Sequence, residues 1–428
     1  MNPKIYKEYM VVPEEVLYVL NILKQYGYEA YIVGGACRDH FLNKTPKDFD
    51  ICTNAIPNQM LEIGKKENLE LIETGLQHGT ITFHIEKENI EVTTYRTDGE
   101  YVDHRRPTKV EFVQAVIQDL KRRDFTFNAI LYDPQIGFID YFKGVEDLKN
   151  KVVRCIGNPE DRFEEDALRI LRAIRFASRL DFTIEKKTHK AILNKQILLE
   201  HISKERIQME LTSILSCGYK GVAYIMDYYN LFVNCVFGVS LFNCWFILKT
   251  SLPSLVDVSV ILALLLNHLE RYDIIWILKE NLKYDNKTIK EVIGIHKAYK
   301  DYIEKYSVWN NEEDYLKVVR FLIQDYGSLI VEKLFGFIEV LVGLPSYYRN
   351  SLQTIEEQGL CCSFKELKIN GNDLLSLGFE GEEIKKILKL LLDLVILETI
   401  ENDKESLLNY AKGYAILINN WFKKGKKI

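Results

Sequence analysis

The chain has 428 residues, 47% of them hydrophobic and 27% charged, enough apolar material for about three cores and far from the composition of a disordered chain. Fifty-six Lys and Arg against 61 Asp and Glu leave a formal charge of −5, so the summed field does not attract polyanions and any nucleic-acid contact must rest on local basic patches. The longest apolar run, 260–266, falls short of the ~20 residues a membrane helix needs, no signal-like apolar stretch opens the chain, and the eight cysteines show no C-x-x-C spacing, so a cytoplasmic protein with reduced thiols is expected.

The first ~150 residues mix two periodicities. A helical pattern over 13–26 leads into short β-rich runs at 29–35, 48–53, 79–86 and 90–96, the last two joined as a hairpin by the turn formers Lys87-Glu88-Asn89. A second helical stretch is expected around 120–131. From Pro159 the β signals fade: 166–180 carries Leu168, Leu171, Ile174 and Phe176 at helical spacing, and further helices are expected over 204–215, 256–269, 274–282, 286–298, 314–324 and 382–400. An α/β head on a long helical body follows from this pattern.

Chemistry concentrates in YIVGGACRDHFLNKTPKDFDICT. A strand runs into Gly34-Gly35, where missing side chains allow a tight turn or close approach to a ligand. A helix beginning near Cys37 would place Arg38, which can fork two phosphate oxygens, in its first turn. On the next strand Asp48 and Asp50 would share one face while Phe49 enters the core. Two carboxylates beside a glycine-lined anion pocket suit Mg²⁺, which takes one or two protein carboxylates and completes its shell with phosphates and water.

That order of motifs resembles the polymerase-β-like nucleotidyltransferase heads, specifically the class II tRNA nucleotidyltransferase and bacterial poly(A) polymerase family. Glu91 in EVTTYR looks like a further carboxylate on the family's following strand; Arg122-Arg123-Asp124-Phe125-Thr126-Phe127-Asn128-Ala129 is similar to its ribose- and triphosphate-binding motif; Glu165-Asp166-Ala167-Leu168-Arg169 is similar to its base-selecting motif. Ser203-Lys204-Glu205-Arg206-Ile207 and the Lys368–Leu374 stretch, KINGNDL, resemble later family motifs. The resemblance implies an α+β fold: a head with a small mixed sheet (1–150), then an all-α neck (151–215), body (216–345) and tail (346–428). It implies a CCA-adding activity on tRNA that uses CTP, ATP and two Mg²⁺ ions. Asp48, Asp50 and Glu91 would be catalytic, the first two as metal ligands. Gly34, Gly35, Arg38, Arg123, Asp124, Asn128, Asp166, Arg169, Arg172 and Arg175 would bind nucleotide.

The base-selecting pair also reads physically. Asp166 offers only acceptors and Arg169 only donors, and three residues apart on a helix they would be neighbours. Together they match the amine-beside-acceptor edge of cytosine and adenine and reject uracil and guanine. The charged segment 96–107 is expected to be a mobile loop and resembles the family's flexible loop, with Asp103, Arg105 and Arg106 at matching positions. Lys385, Lys386 and Lys389 on one helix are candidate contacts for tRNA phosphates. Asn267-His268 stands where some relatives carry a His-Asp hydrolase motif, and Asn is a poor metal ligand. The alternatives are an A-adding enzyme with a separate CC-adding partner, a poly(A) polymerase, or an inactive tRNA-binding protein; the oligomeric state is open.

Overall fold

The structure, a computed structural model, describes residues 2–99, 110–242, 257–306, 312–343 and 346–425. The chain divides into two compact units: Met1–Ser240 with Asn281–Lys283, and Leu241–Glu280 with Tyr284–Ile428.

The first unit begins with ten strands: β1 (Lys4–Tyr6), β2 (Ala30–Val33), β3 (Asp50–Thr53), β4 (Glu70–Gly75), β5 (Thr80–Ile85), β6 (Glu88–Thr94), β7 (Arg96–Asp98), β8 (Val110–Phe112), β9 (Ile130–Asp133) and β10 (Gly137–Asp140). Eight form one mixed sheet in the order β1-β10-β9-β2-β3-β6-β5-β4, while β7 and β8 pair by themselves. Every ladder of the large sheet is antiparallel except β3 with β6, where Ile51 faces Val92. Val33, Cys52, Leu131 and Ile139 build one buried cluster across four strands, closed by Tyr95 and Leu120. The β5–β6 hairpin turns at Glu86, in the left-handed region at φ 56°.

Helices of this unit are α1 (Glu14–Gln25), α2 (Gly35–Phe41), α3 (Pro57–Lys66), α4 (Val116–Lys121), α5 (Gly144–Lys149), α6 (Pro159–Glu165), α7 (Leu168–Leu180), α8 (Lys186–Lys195) and α9 (Lys204–Leu215). Helix α7 buries Leu168, Leu171, Ile174 and Phe176 as its spacing predicts, and packs on α9. A two-residue parallel ladder, Val152–Val153 against Thr183–Ile184, adds β structure beyond the expected strands.

Three expectations change. The stretch 120–131 is the end of α4, a single 3₁₀ turn (Thr126–Asn128) and the start of β9, because Ile130–Asp133 is buried on both faces and shows no alternation. Asp48 and Phe49 precede β3, and Phe49 is half-buried at the surface of a cleft instead of in the core. Within 96–107, Arg96–Asp98 is strand β7; the loop residues Asp103, Arg105 and Arg106 lie outside the described residues.

The second unit is helical among its described residues, with longer helices at Asn286–Asp301, Glu312–Tyr326, Ser328–Val342, Ser346–Gln358, Glu382–Ile396 and Lys404–Gly425. Buried Arg320 donates to the carbonyls of Cys361, Val395 and Ile396, tying three turns of chain together. The KINGNDL stretch is a helix start: Asn370 accepts from the backbone of Asn372 and Asp373, Asp373 returns a bond to Asn370 N, and Leu374 is fully buried. No described helix is long and apolar enough to cross a membrane.

Candidate active site

Strand β2 ends at Gly34, which enters α2 with φ 84°, a conformation that side-chain-bearing residues rarely adopt. A β-carbon there would lie 3.8 Å from both Asp50 Oδ2 and Arg123 Nη1, so the bend forms a shallow cradle with an acid and a base on its rim. Helix α2 starts at Gly35, two residues before Cys37.

Asp50 opens β3, and the parallel register sets it abreast of Glu91 on β6. Asp48, Asp50 and Glu91 line one cleft of about 530 Å³. Asp50 is exposed to the cleft; partial loss of water around its carboxylate, then the charges of Glu91 and, less, Asp48, push its pKa up, against the pull of Arg123. These crowded acids fit a hard cation: all donors are oxygens, and a divalent ion relieves their repulsion. Among the described residues no three His, Cys, Asp or Glu side chains form a ligand set by themselves.

A second cleft, of about 380 Å³, runs from Gly34, Gly35 and Asp50 past Arg38, Arg123 and Asn128 to Asp166, Arg169, Arg172 and Phe176. Asp119, 1% exposed, gives one carboxylate oxygen to Arg122 (2.8 and 2.9 Å) and the other to Arg123 (3.2 and 3.3 Å). Burial alone would raise its pKa; the charges and hydrogen bonds of the two arginines outweigh that and hold it low. Asp124 is equally committed: it accepts from Phe125 N, Asn128 Nδ2 and both Arg172 Nε (2.9 Å) and Nη2 (2.6 Å). Asn128 in turn accepts from Arg38 Nη1 at 3.1 Å. Phe176 lies beneath three guanidiniums, with Arg175 at 4.5 Å, Arg38 at 5.4 Å and Arg172 at 5.7 Å from its ring centre.

The far end of this cleft departs from the expected i,i+3 pair. Asp166 sits in extended conformation at the break between α6 and α7, and its carboxylate accepts from Leu168 N and, at 3.1 Å, from Arg206 on α9. Arg169 is the second residue of α7 and donates to Glu165 (2.6 Å) and to the carbonyls of Arg162 and Arg122. Both side chains line the cleft, yet each has its own partner. Arg175 is outside that lining, held by Glu210 at 2.7 Å. Lys385, Lys386 and Lys389 lie exposed on Glu382–Ile396 in the other unit, where Phe364 and Tyr410 are exposed as well.

Asp119, Glu165 and Phe176 hold this site together without having been singled out for it. Asp119 had a legible signal, an acid in a short helix three and four residues before two consecutive arginines that follow the helix's end. Arg206 lay within a quoted motif but its partner Asp166 is forty residues away, beyond the reach of spacing arguments.

Comparison with known proteins gives the family of the chain. The poly A polymerase head domain model matches residues 30–154, the model described as "Probable RNA and SrmB-binding site of polymerase A" matches 181–230, and tRNA nucleotidyltransferase domain 2 matches 255–411. A CCA-adding enzyme of Staphylococcus haemolyticus is 33% identical over 404 residues, 92% of this chain and 96% of the relative. One of Oceanobacillus iheyensis is 36% identical over 401 residues, 90% of this chain and 94% of the relative. The crystal structure of the Bacillus stearothermophilus CCA-adding enzyme in complex with CTP superposes with a TM-score of 0.74 at 28% identity, covering 97% of this chain and all of that one. With a glycine cradle, an acidic cleft and an arginine-lined cleft meeting at Asp50, and full-length likeness to these relatives, the chain belongs to the CCA-adding enzyme family of tRNA nucleotidyltransferases.

Proposed function

We propose that this protein builds or repairs the 3′-terminal CCA of tRNA from CTP and ATP, without a nucleic-acid template, and releases pyrophosphate. The observation that carries this reading is the position of Asp50, common to the acidic cleft with Asp48 and Glu91 and to the arginine-lined cleft that ends at Asp166 and Arg169. A triphosphate laid along that cleft has its phosphates by Arg38, Arg123 and the Gly34 cradle and its base by α7.

In the reaction the tRNA 3′ oxygen forms a bond to the α-phosphorus, the bond from that phosphorus to the bridging oxygen breaks, and the hydroxyl proton passes to solvent. Asp48 and Asp50 would hold Mg²⁺, in the two-ion form the family implies, and the chemistry it would supply there is charge neutralisation and acidification of the attacking hydroxyl. The chain's own groups supply position. Glu91 sets a further carboxylate beside Asp50, Arg123 meets the phosphates from a fixed fork, and Asn128 and Asp124 would partner the ribose hydroxyls. Asp166 and Arg169 would read the base edge by sharing or exchanging the bonds they now give Arg206, Glu165 and Arg122. Lys385, Lys386 and Lys389 offer exposed charge to tRNA phosphates. The seven described cysteines are free thiols, which supports a reducing, cytoplasmic setting.

The test uses tRNA transcripts ending at the discriminator base, at C or at CC, each with labelled CTP or ATP. Stepwise addition of C, C and A with arrest after A is the expected result. Addition of A alone to the CC transcript assigns an A-adding enzyme, and no addition to any transcript overturns the proposal.

A further inference from the structure

One residue outside the expected site stands beneath two clefts at once. Arg122 and Arg123 line the nucleotide cleft, and with Asp50, Glu91 and His78 they also line a second cleft of about 360 Å³. Both arginines rest on Asp119, whose two oxygens each take one guanidinium fork. With Nε and Nη2 of Arg123 bound below, its Nη1 is the nitrogen beside Gly34, 3.8 Å from where a β-carbon would be. The backbone of Arg96, at the start of β7, donates to the same carboxylate at 3.4 Å, and the carbonyl of Arg122 takes Arg169 Nη2 at 2.7 Å.

Two adjacent guanidiniums repel and, unrestrained, keep many rotamers. A single buried carboxylate removes both problems: it neutralises one of the two charges and fixes both planes, leaving one net positive charge aimed at the cradle. We propose that Asp119 is the positioning residue for the triphosphate, acting through Arg122 and Arg123 and touching no substrate itself. It sets phosphate affinity rather than base choice, since what it orients are the two guanidiniums, while Arg169 meets only the backbone carbonyl of Arg122. This inference rests on the nucleotide-cleft assignment above, deepening it by naming the residue that orients the phosphate grip.

Asp119→Asn is the decisive change. Its amide offers one acceptor where two forks need two, and its N–H₂ faces guanidinium donors, so at least one arginine leaves its place. Removing a negative charge would by itself tighten anion binding; the proposal holds that lost orientation wins. Titration calorimetry of the full chain with inorganic tripolyphosphate, CTP and ATP reads affinity and stoichiometry separately. The expected result is a Kd raised about tenfold for all three ligands, the size of one lost charge-assisted hydrogen bond, with one site per chain retained and the CTP-to-ATP ratio unchanged. A merely structural role would lower the stoichiometry and leave Kd as it was; that outcome, or tighter binding, overturns the proposal. Asp119→Glu, which keeps the charge and shifts it by one methylene, serves where the amide variant does not fold: a Kd a few-fold above wild type at full stoichiometry supports the role, and a wild-type Kd overturns it. Wild type that binds tripolyphosphate but extends no tRNA refutes the proposed function and leaves this result standing.

Discussion

The two ends of the nucleotide cleft are built differently from the same residue types. At the head end one buried aspartate holds two arginines, and a second, Asp124, holds Arg172 across to α7; both acids are buried and engaged by guanidiniums. At the α6–α7 end each recognition group has a separate ionic partner, Arg206 for Asp166 and Glu165 for Arg169, and the two acids are less deeply covered than Asp119 and Asp124. The difference matches the two tasks. Phosphates are identical in every nucleotide and reward a rigid, charge-based grip, whereas a base edge must be met by donors and acceptors that can be re-paired.

The largest effect should come from severing chemistry from grip. Asp50→Asn is expected to lower the rate of nucleotide addition at least about a thousandfold, the scale of losing a charge-stabilising group, while leaving calorimetric CTP affinity in the absence of metal within a few-fold. Retained turnover with Mg²⁺ would refute the carboxylate's role. Next, Arg169→Ala should act on the far end only. Discrimination of CTP and ATP against UTP and GTP, measured as ratios of kcat/KM, is expected to fall roughly ten- to a hundredfold, the scale of one lost bidentate base contact. An equal loss for all four nucleotides would erase the distinction between the ends.

The smallest effect concerns acid. Asp119 and Asp124 are held below the usual carboxylate range, their arginine partners outweighing the cost of burial. A folded-state pKa below the unfolded one contributes stability that is complete above about pH 4 and is lost as pH falls through the lower folded values. The urea midpoint should therefore lose nothing from these acids between pH 7 and 5 and decline below about pH 4. In Asp119→Asn that decline should be shallower; an unchanged slope would show that the fork is not linked to folding.

Much of this site could be read from local order. Gly34-Gly35, Asp48 and Asp50, the RRDFTFNA stretch and α7 announced themselves because each is a short segment with its own chemistry. What escaped were pairings set by tertiary packing. Strands β9 and β10 are buried throughout and so lack the period that marks a half-exposed strand. The Asp166–Arg169 pair was expected from a continuous helix, but the helix breaks at Asp166, and Arg206 occupies the place Arg169 was to fill. KINGNDL shows the converse: a motif noticed by resemblance proves to be a helix cap over a buried leucine.

The lone parallel ladder of the large sheet has a consequence for how the enzyme comes to life. Asp50 and Glu91 stand side by side only because β3 and β6 run the same way, and such neighbours cannot be joined by a tight hairpin; here α3, β4 and β5 must be laid down between them. The acidic rim therefore depends on long-range closure, a slow class of event in folding, and a chain emerging from synthesis lacks it until residue 91 has found its lane. Catalytic competence thus waits on a pairing between strands that are not neighbours in the chain.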